Sequence, residues 1–443
     1  MDEDRGRRAR ATGGNTLGGV IEAPGDKSIS HRALIFGAMA DGETRIAGLL
    51  EGHDVLRTAA AMRAFGAEIE RDLAEGGPVW RVVGRAEWKQ PGGPVYFGNS
   101  GTGCRLVMGA AAGRGVAAAF DGDASLRSRP MRRITAPLED MGAAFTTNDG
   151  RLPAQLAASG LRGIRYRLPV ASAQIKSAVL LAGLGARGET VVFEPEPCRD
   201  HTERMLAAFG CPQQIKEAGG VREIRVSGGA ALTPASIEVP GDPSSAAFIV
   251  AAAVITPGSD VTVRGVLMNP LRTGFFDTLT EMGARLEMEN LRMVNGEPVA
   301  DLRARHSTLR GVETPSERAP SMIDEYPVLA VVAAFAEGES VLRGLAELRV
   351  KESDRLAAIE AGLAANGVAV ETGEDWIKIT GGGDPAGGAL VRTHADHRIA
   401  MSFLVMGLAA RRPVEIDDAS MIATSFPAFF GLMNRIGADI ASR

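Results

Sequence analysis

One pattern recurs six times along the 443 residues of this chain: a helix-forming stretch closes on a glycine and runs at once into a short strand. The copies read AAAMRAFGAEIE, PLEDMGAAF, RMLAAFGC, TLTEMGARLE, AIEAGLAANGVAVE and GLMNRIGADI. Their glycines, Gly66, Gly142, Gly210, Gly283, Gly367 and Gly437, stand 76, 68, 73, 84 and 70 residues apart. Glycine in that place permits the left-handed turn that ends a helix. A period this regular implies one supersecondary unit used repeatedly, with the core formed by stacking the copies.

Two further series keep the same period. GDKSISHR, GNSGTGCR, ASAQIKSA, GDPSSAAF, SMIDEYPVL and HADHRIAM each begin with small or capping residues and enter an apolar run, as helix N-termini do. GETRIAGL, GETVVFEP, GSDVTVRG and GESVLRGL give a turn and then an alternating strand, with weaker copies around Ala117–Asp121 and Pro413–Ile416. Each unit therefore reads as helix, strand, helix and one or two more strands, an α/β fold. A chain of this length exceeds what one core supports, and six units divide into two domains of three. One large doubly wound sheet is the simpler alternative.

The 49 Lys and Arg against 54 Asp and Glu leave a formal net charge of -5, which argues against a general nucleic-acid or membrane-surface binder. Cys104, Cys198 and Cys211 lie far apart without a CxxC pair, which fits a reducing cytoplasm and offers no zinc or redox motif. Residues 1–15, MDEDRGRRARATGGN, are charged and Gly-rich with no apolar segment after them, so they read as a frayed tail and not as a secretory signal. The apolar runs Ala246–Thr256 and Val328–Ala336 are shorter than the roughly 20 residues of a bilayer span and read as buried helices.

The polar residues gather at helix starts, where free N–H groups and the helix dipole favour anions. In Gly25–Arg32, Lys27 supplies a point cation, Ser28 a hydroxyl and Arg32 a planar fork suited to carboxylate or phosphate. No GxxxxGK[ST] occurs, and a capped helix with solvated charges is the competing reading. Gly98–Gly103, followed by Arg105, can bring backbone N–H groups to a small anion, or form only a tight turn. Ser125–Arg133 holds four arginines, with Arg129 before the helix-starting Pro130.

Ser172, Gln174 and Lys176 place a hydroxyl, an amide and an ammonium at a third helix start. Arg199 stands ahead of Asp200 and Glu203, which are ordinary acids for a first helical turn. In the second half, Asp324, Glu325, Glu352 and Asp354 sit among Lys351 and Arg355, a setting for a general base or proton donor. Glu325 and Asp354 equally suit plain helix-start acids. His394 and His397 with Asp396 between them could begin a metal site, but no further ligand is evident, and Arg398 reads as an anion ligand.

Taken in order, GDKSISHR, GNSGTGCR, SLRSRPM, ASAQIKSAVLLAG, CRDHTERML, VPGDPSSAAF, SMIDEYP, LRVKESDRL, HADHRIAM and IATSFP resemble the signature of the 5-enolpyruvylshikimate-3-phosphate synthase family, in wording closest to its bacterial class II subfamily. The resemblance implies two inside-out α/β barrels of three units each. One domain would be residues 24–240, the other 1–23 with 241–443, and the active site would lie in the cleft between them. It implies transfer of the enolpyruvyl group of phosphoenolpyruvate to the 5-hydroxyl of shikimate 3-phosphate through a tetrahedral intermediate, with release of phosphate. It implies no metal and no organic cofactor, a cytoplasmic monomer, small-molecule partners, and neither nucleic acid nor membrane.

Carried over position by position, the resemblance has Lys27 touching both substrates. Shikimate 3-phosphate is held by Ser28, Arg32, Ser172, Ala173, Gln174, Arg199, Asp324 and Lys351, and phosphoenolpyruvate by Gly101, Arg129, Gln174, Arg355 and Arg398. Asp324 takes the 5-hydroxyl proton, and Glu352 exchanges a proton with the enolpyruvyl methylene. Sensitivity to glyphosate, the family inhibitor of the phosphoenolpyruvate site, is expected, with Gly101 deciding it. One position departs: Thr424 stands where many members carry Lys, which leaves more of the phosphoenolpyruvate charge to Arg398 or Lys27. The sister family acting on UDP-N-acetylglucosamine typically has a Cys before its Arg-Pro pair, and Asp123–Pro130 has none. A non-catalytic anion binder on the same scaffold is the other alternative, and such a protein could lose Asp324 and Glu352.

Overall fold

The structure is a computed structural model and describes residues 7–211 and 213–442. Among these residues the strands form six sheets of four, not one doubly wound sheet. One sheet shows the pattern: Val95–Tyr96 runs parallel to Ala118–Asp121, which pairs antiparallel with Arg151–Ala157, and that strand with Ala144–Asn148. The sheets around Gly42–Ala47, Glu189–Glu194 and Glu337–Arg343 repeat it. All six helix-ending glycines have positive φ, from 73° to 107°, so the repeat visible in the sequence is the repeated left-handed turn at a helix end.

The helices opened by the second motif series are α1 Lys27–Met39, α2 Gly101–Gly113, α3 Ala173–Gly183, α4 Pro243–Ile255, α5 Tyr326–Ala334 and α6 His397–Gly407. Every residue of α4 and α5 is buried, whereas His53–Ala64, a helix of the glycine-ended series, keeps an exposed face. Helices apolar on all sides belong inside, so the sheets lie outside them and each barrel is turned inside out. None of the described helices is long and apolar enough to cross a membrane.

The chain divides into two compact units. One comprises Gly25–Val239 with Val294–Gly296 and contains α1–α3, with α2 packed on both α1 and α3. The other comprises Met1–Pro24, Pro240–Met293 and Glu297–Arg443 and contains α4–α6, packed on one another. The frayed-tail expectation fails within the described residues, and residues 1–6 lie outside them. Ala9–Thr12 is an inner strand, antiparallel to Val414–Ile416 and Asp439–Ser442, with Ala9 and Ala11 buried. Alternation of alanine with a basic or hydroxyl residue gives it one apolar face, but the stretch is too short to read as a strand in isolation.

Close approach of α2 and α3 depends on Gly109 and Gly113. A Cβ at Gly109 would lie 2.4 Å from the carbonyl oxygen of Ala178, and one at Gly113 would lie 2.9 Å from Ala182 Cα. Gly109→Ala is therefore expected to destabilise by about 1–3 kcal/mol through overpacking, despite alanine's better helix propensity. A thermal melt should fall by several degrees, and an unchanged melting temperature would mean that the helices slide apart at little cost.

Candidate active site

In the unit built on α1–α3, the caps Asp26 and Ser172 accept from the N–H groups of Ile29 (2.7 Å) and Ile175 (3.4 Å). Lys27 Nζ lies 2.5 Å from Asp54 Oδ2, and its side chain stays partly exposed. Arg32 is buried: Nε donates to Thr202 Oγ1 (2.8 Å), Nη2 to Ser177 Oγ (2.7 Å) and Nη1 to the Ser28 carbonyl (3.0 Å). Burial pushes the Arg32 pKa down to about 10; Glu203 and Asp26 oppose this, and the nearby Arg199 guanidinium adds to it. Two guanidiniums close enough to repel each other favour an anion beside them.

The Gln174 amide is held at both ends, with Oε1 accepting from Arg105 Nη1 (2.8 Å) and Nε2 donating to Thr102 Oγ1 (3.0 Å). Arg129 Nη2 donates to Asn99 Oδ1 and to Ser125 Oγ (3.1 Å). A Cβ on Gly101 would stand 3.1 Å from Arg105 Nη1 and 3.2 Å from Arg129 Nη1. Two guanidinium tips thus converge on the bare side of this glycine, at the N-terminus of α2, an arrangement suited to a small anion.

In the other unit, Asp324 Oδ1 lies 3.4 Å from Lys351 Nζ and 3.3 Å from Arg355 Nη1. Arg398 Nη1 donates to the Asp324 carbonyl (2.9 Å), and its Nη2 lies 4.0 Å from Asp324 Oδ2. Arg355 is buried among carboxylates, 2.5 Å from Glu352 Oε2 and 2.8 Å from Asp396 Oδ2 in addition to Asp324. Burial disfavours its charge, but Asp396, Glu352 and Asp324 outweigh that and raise its pKa. Asp396 also accepts from Ser353 Oγ (3.0 Å) and caps α6 through the Arg398 N–H (2.9 Å). Burial would push the Asp396 carboxyl up, and Arg355 holds it below the usual carboxylate range.

The structure gathers Asp324, Lys351, Glu352, Arg355 and Arg398 in one unit and Lys27, Ser28, Arg32, Gly101, Arg129, Ser172, Ala173, Gln174 and Arg199 in the other. Several residues differ from their sequence reading. Lys176 is fully enclosed and paired with Glu194 (2.7 Å) and Glu203 (2.8 Å). Glu203 does stand in the first turn of the helix His201–Ala208, and it is in addition a buried ion-pair partner. Glu325, also buried, accepts from Ser244 Oγ and lies 3.6 Å from Arg398 Nη1. Thr424 turns its hydroxyl to the Met421 carbonyl (2.6 Å) and supplies no charge. Asp54 carries no site reading in the sequence, and Arg105 and Asp396 appear there only beside the Gly98–Gly103 turn and in a candidate metal site, not as partners of Gln174 and Arg355. Asp396 had a local signal as a helix cap, whereas the pairing of Asp54 with Lys27 is purely tertiary.

His31, in the opening turns of α1, is enclosed with Nδ1 2.8 Å from Thr58 Oγ1. Burial first, then the charges of Lys27 and Arg32, hold its pKa well below 6.5. The unfolded chain therefore binds a proton there that the folded chain refuses. The stability this gives is present above the unfolded pKa and is lost as pH falls below about 6.5, by up to about 1.4 kcal/mol per unit. Urea unfolding between about pH 7 and pH 5 should show that slope, and His31→Gln should flatten it by a similar amount. Equal slopes in the two proteins would place the proton uptake elsewhere.

Two inside-out α/β units, one with cations massed at its helix starts and the other with a carboxylate ringed by cations, define a class of protein that handles small anionic substrates. The family model for EPSP synthase (3-phosphoshikimate 1-carboxyvinyltransferase) matches residues 11–433. The 3-phosphoshikimate 1-carboxyvinyltransferase of Parvibaculum lavamentivorans is 59% identical over 431 residues, covering 96% of this chain and 95% of that protein. That of Nitrobacter hamburgensis is 60% identical over 436 residues, 96% of each. The solved EPSP synthase of Acinetobacter baumannii superposes with a TM-score of 0.85 at 44% identity, over 98% of this chain and 100% of that one. The enolpyruvyl transferase NikO of Streptomyces tendae, at 20% identity and a TM-score of 0.78 over 99% of each chain, shares the fold. The chain belongs to the EPSP synthase family.

Proposed function

We propose that this chain transfers the enolpyruvyl group of phosphoenolpyruvate to the 5-hydroxyl of shikimate 3-phosphate and that its two sets of polar residues divide the work. Lys27, Ser28, Arg32, Ser172, Ala173, Gln174, Arg199 and Lys351 hold shikimate 3-phosphate. Gly101, Arg129, Arg355 and Arg398, with Lys27 and Gln174, hold phosphoenolpyruvate. The protein is acidic overall, and local cations, not net charge, attract the two anions. In the addition step Glu352 gives a proton to the methylene carbon of phosphoenolpyruvate while Asp324 removes the 5-hydroxyl proton, and the freed oxygen bonds to the central carbon. In the elimination step a methyl proton returns to Glu352 as the carbon–oxygen bond to phosphate breaks, and the departing phosphate oxygen takes up the proton that Asp324 removed from the 5-hydroxyl. The double bond is restored, and proton transfers alone balance the reaction.

The observation that carries this reading is the setting of Asp324, a partly exposed carboxylate with Lys351, Arg355 and Arg398 within 4.0 Å. Phosphate release from phosphoenolpyruvate, measured with shikimate 3-phosphate or UDP-N-acetylglucosamine as acceptor, tests it. Turnover is expected only with the first acceptor, and turnover only with the second would overturn the reading. The enzyme acts as a monomer in a reducing cytoplasm, a setting supported by its three free, buried cysteines.

A further inference from the structure

Residues 195–200, between the strand Glu189–Glu194 and the helix His201–Ala208, have no regular structure, and two of them, Pro195 and Pro197, have no N–H to donate. Arg199 nevertheless lies within this segment, near enough to Arg32 for the two charges to interact. A buried ion pair holds the segment from behind. Lys176 Nζ, on α3, lies 2.7 Å from Glu194 Oε1. The same Glu194 oxygen accepts from the Cys198 N–H (3.0 Å) and the Cys198 thiol (2.9 Å), while Lys176 Nζ donates to the Cys198 carbonyl (3.2 Å). Both backbone polar groups of the residue before Arg199 are thus held by the two halves of one ion pair. Glu203, 2.8 Å from Lys176, and Arg222, 3.3 Å from Glu194 Oε2, bring two carboxylates and two cations together.

Stability alone does not explain such a cluster, since packed apolar groups of the same volume do as well or better. An apolar pair, however, could not hold the N–H and C=O groups of an irregular segment. We propose that Lys176 and Glu194 are positioning residues for Arg199, clamping the backbone at Cys198 so that the guanidinium meets the phosphate of the acceptor substrate. The inference rests on the reading that Arg199 binds that phosphate.

Glu194→Gln keeps the side-chain shape and an acceptor oxygen but loses the charge that draws Lys176. Calorimetric titration of the full chain with shikimate 3-phosphate should show a loss of about tenfold, and titration with shikimate, which lacks the phosphate, a loss below about twofold. Equal weakening of both ligands would indicate a general disturbance and overturn the assignment. In an Arg199→Ala background, Glu194→Gln should add less than about twofold, because the residue it acts through is gone. A full effect in that background would show that Glu194 acts elsewhere. If Arg199→Ala alone leaves shikimate 3-phosphate binding intact, the phosphate reading itself fails. If Arg199→Ala weakens binding but Glu194→Gln does not, that reading stands and the clamp is refuted. The charge-balanced double variant Lys176→Met, Glu203→Gln should reproduce the phosphate-selective loss in a chain whose melt shows it folded, and unaltered binding there would also refute the clamp.

Discussion

Asp324→Ala is expected to lower kcat by about 10²- to 10⁴-fold, the usual contribution of a positioned general base. Binding should respond differently. Asp324 sits among Lys351, Arg355 and Arg398, and deleting an anion from that group leaves an excess of positive charge facing two anionic substrates. Affinity for shikimate 3-phosphate and phosphoenolpyruvate should therefore hold or tighten, apart from the lost contact to the 5-hydroxyl. Asp324→Asn separates the effects, since the amide keeps the shape and the hydrogen-bonding reach but is not a base at neutral pH. Steady-state kinetics beside equilibrium titration of each ligand checks the split. Turnover within a few-fold of the parent in both variants would mean that another group takes the proton.

The same cluster shows what can be read in a sequence of this kind. The sixfold period is legible because a glycine at positive φ is needed after each of six helices and has few substitutes. The helix starts are legible because capping is local, as at Asp26, Ser172 and Asp396. What those starts bind to is not local. Arg355 and Asp396 meet only when α6 packs beside the helix Arg355–Ala365. Lys176 did carry a signal, since an ammonium inside the apolar run QIKSAVLLAG needs buried acids, but nothing in the run says that Glu194 and Glu203 supply them. The strand Ala9–Thr12 is hidden for the same reason, because its hydrogen-bonding partners come from the far end of the chain.

Gly101→Ala is expected to weaken glyphosate inhibition by about 10- to 200-fold, the range that one methyl's worth of steric discrimination reaches, and to raise the Michaelis constant for phosphoenolpyruvate much less. The backbone accepts the change: Gly101 opens α2 without a left-handed φ, and alanine is the better helix former. The added methyl would fall 3.1 Å from Arg105 Nη1 and 3.2 Å from Arg129 Nη1, with Leu126 Cδ1 at 3.6 Å. Neither guanidinium swings freely, since Arg105 is tied to Gln174 and the Pro130 carbonyl, and Arg129 to Asn99 and Ser125. The methyl therefore takes up space in front of the arginine pair and does not simply push the pair aside. A ligand longer than phosphoenolpyruvate must give up more contact to avoid it. Inhibition curves and phosphoenolpyruvate saturation curves on parent and variant, run side by side, decide the matter. A parent already resistant, or a variant equally sensitive, would show that Gly101 does not line the end of the site that the inhibitor fills. Equal losses for inhibitor and substrate would instead mean that the methyl acts by displacing the two charges, and selectivity would have to be sought at another residue.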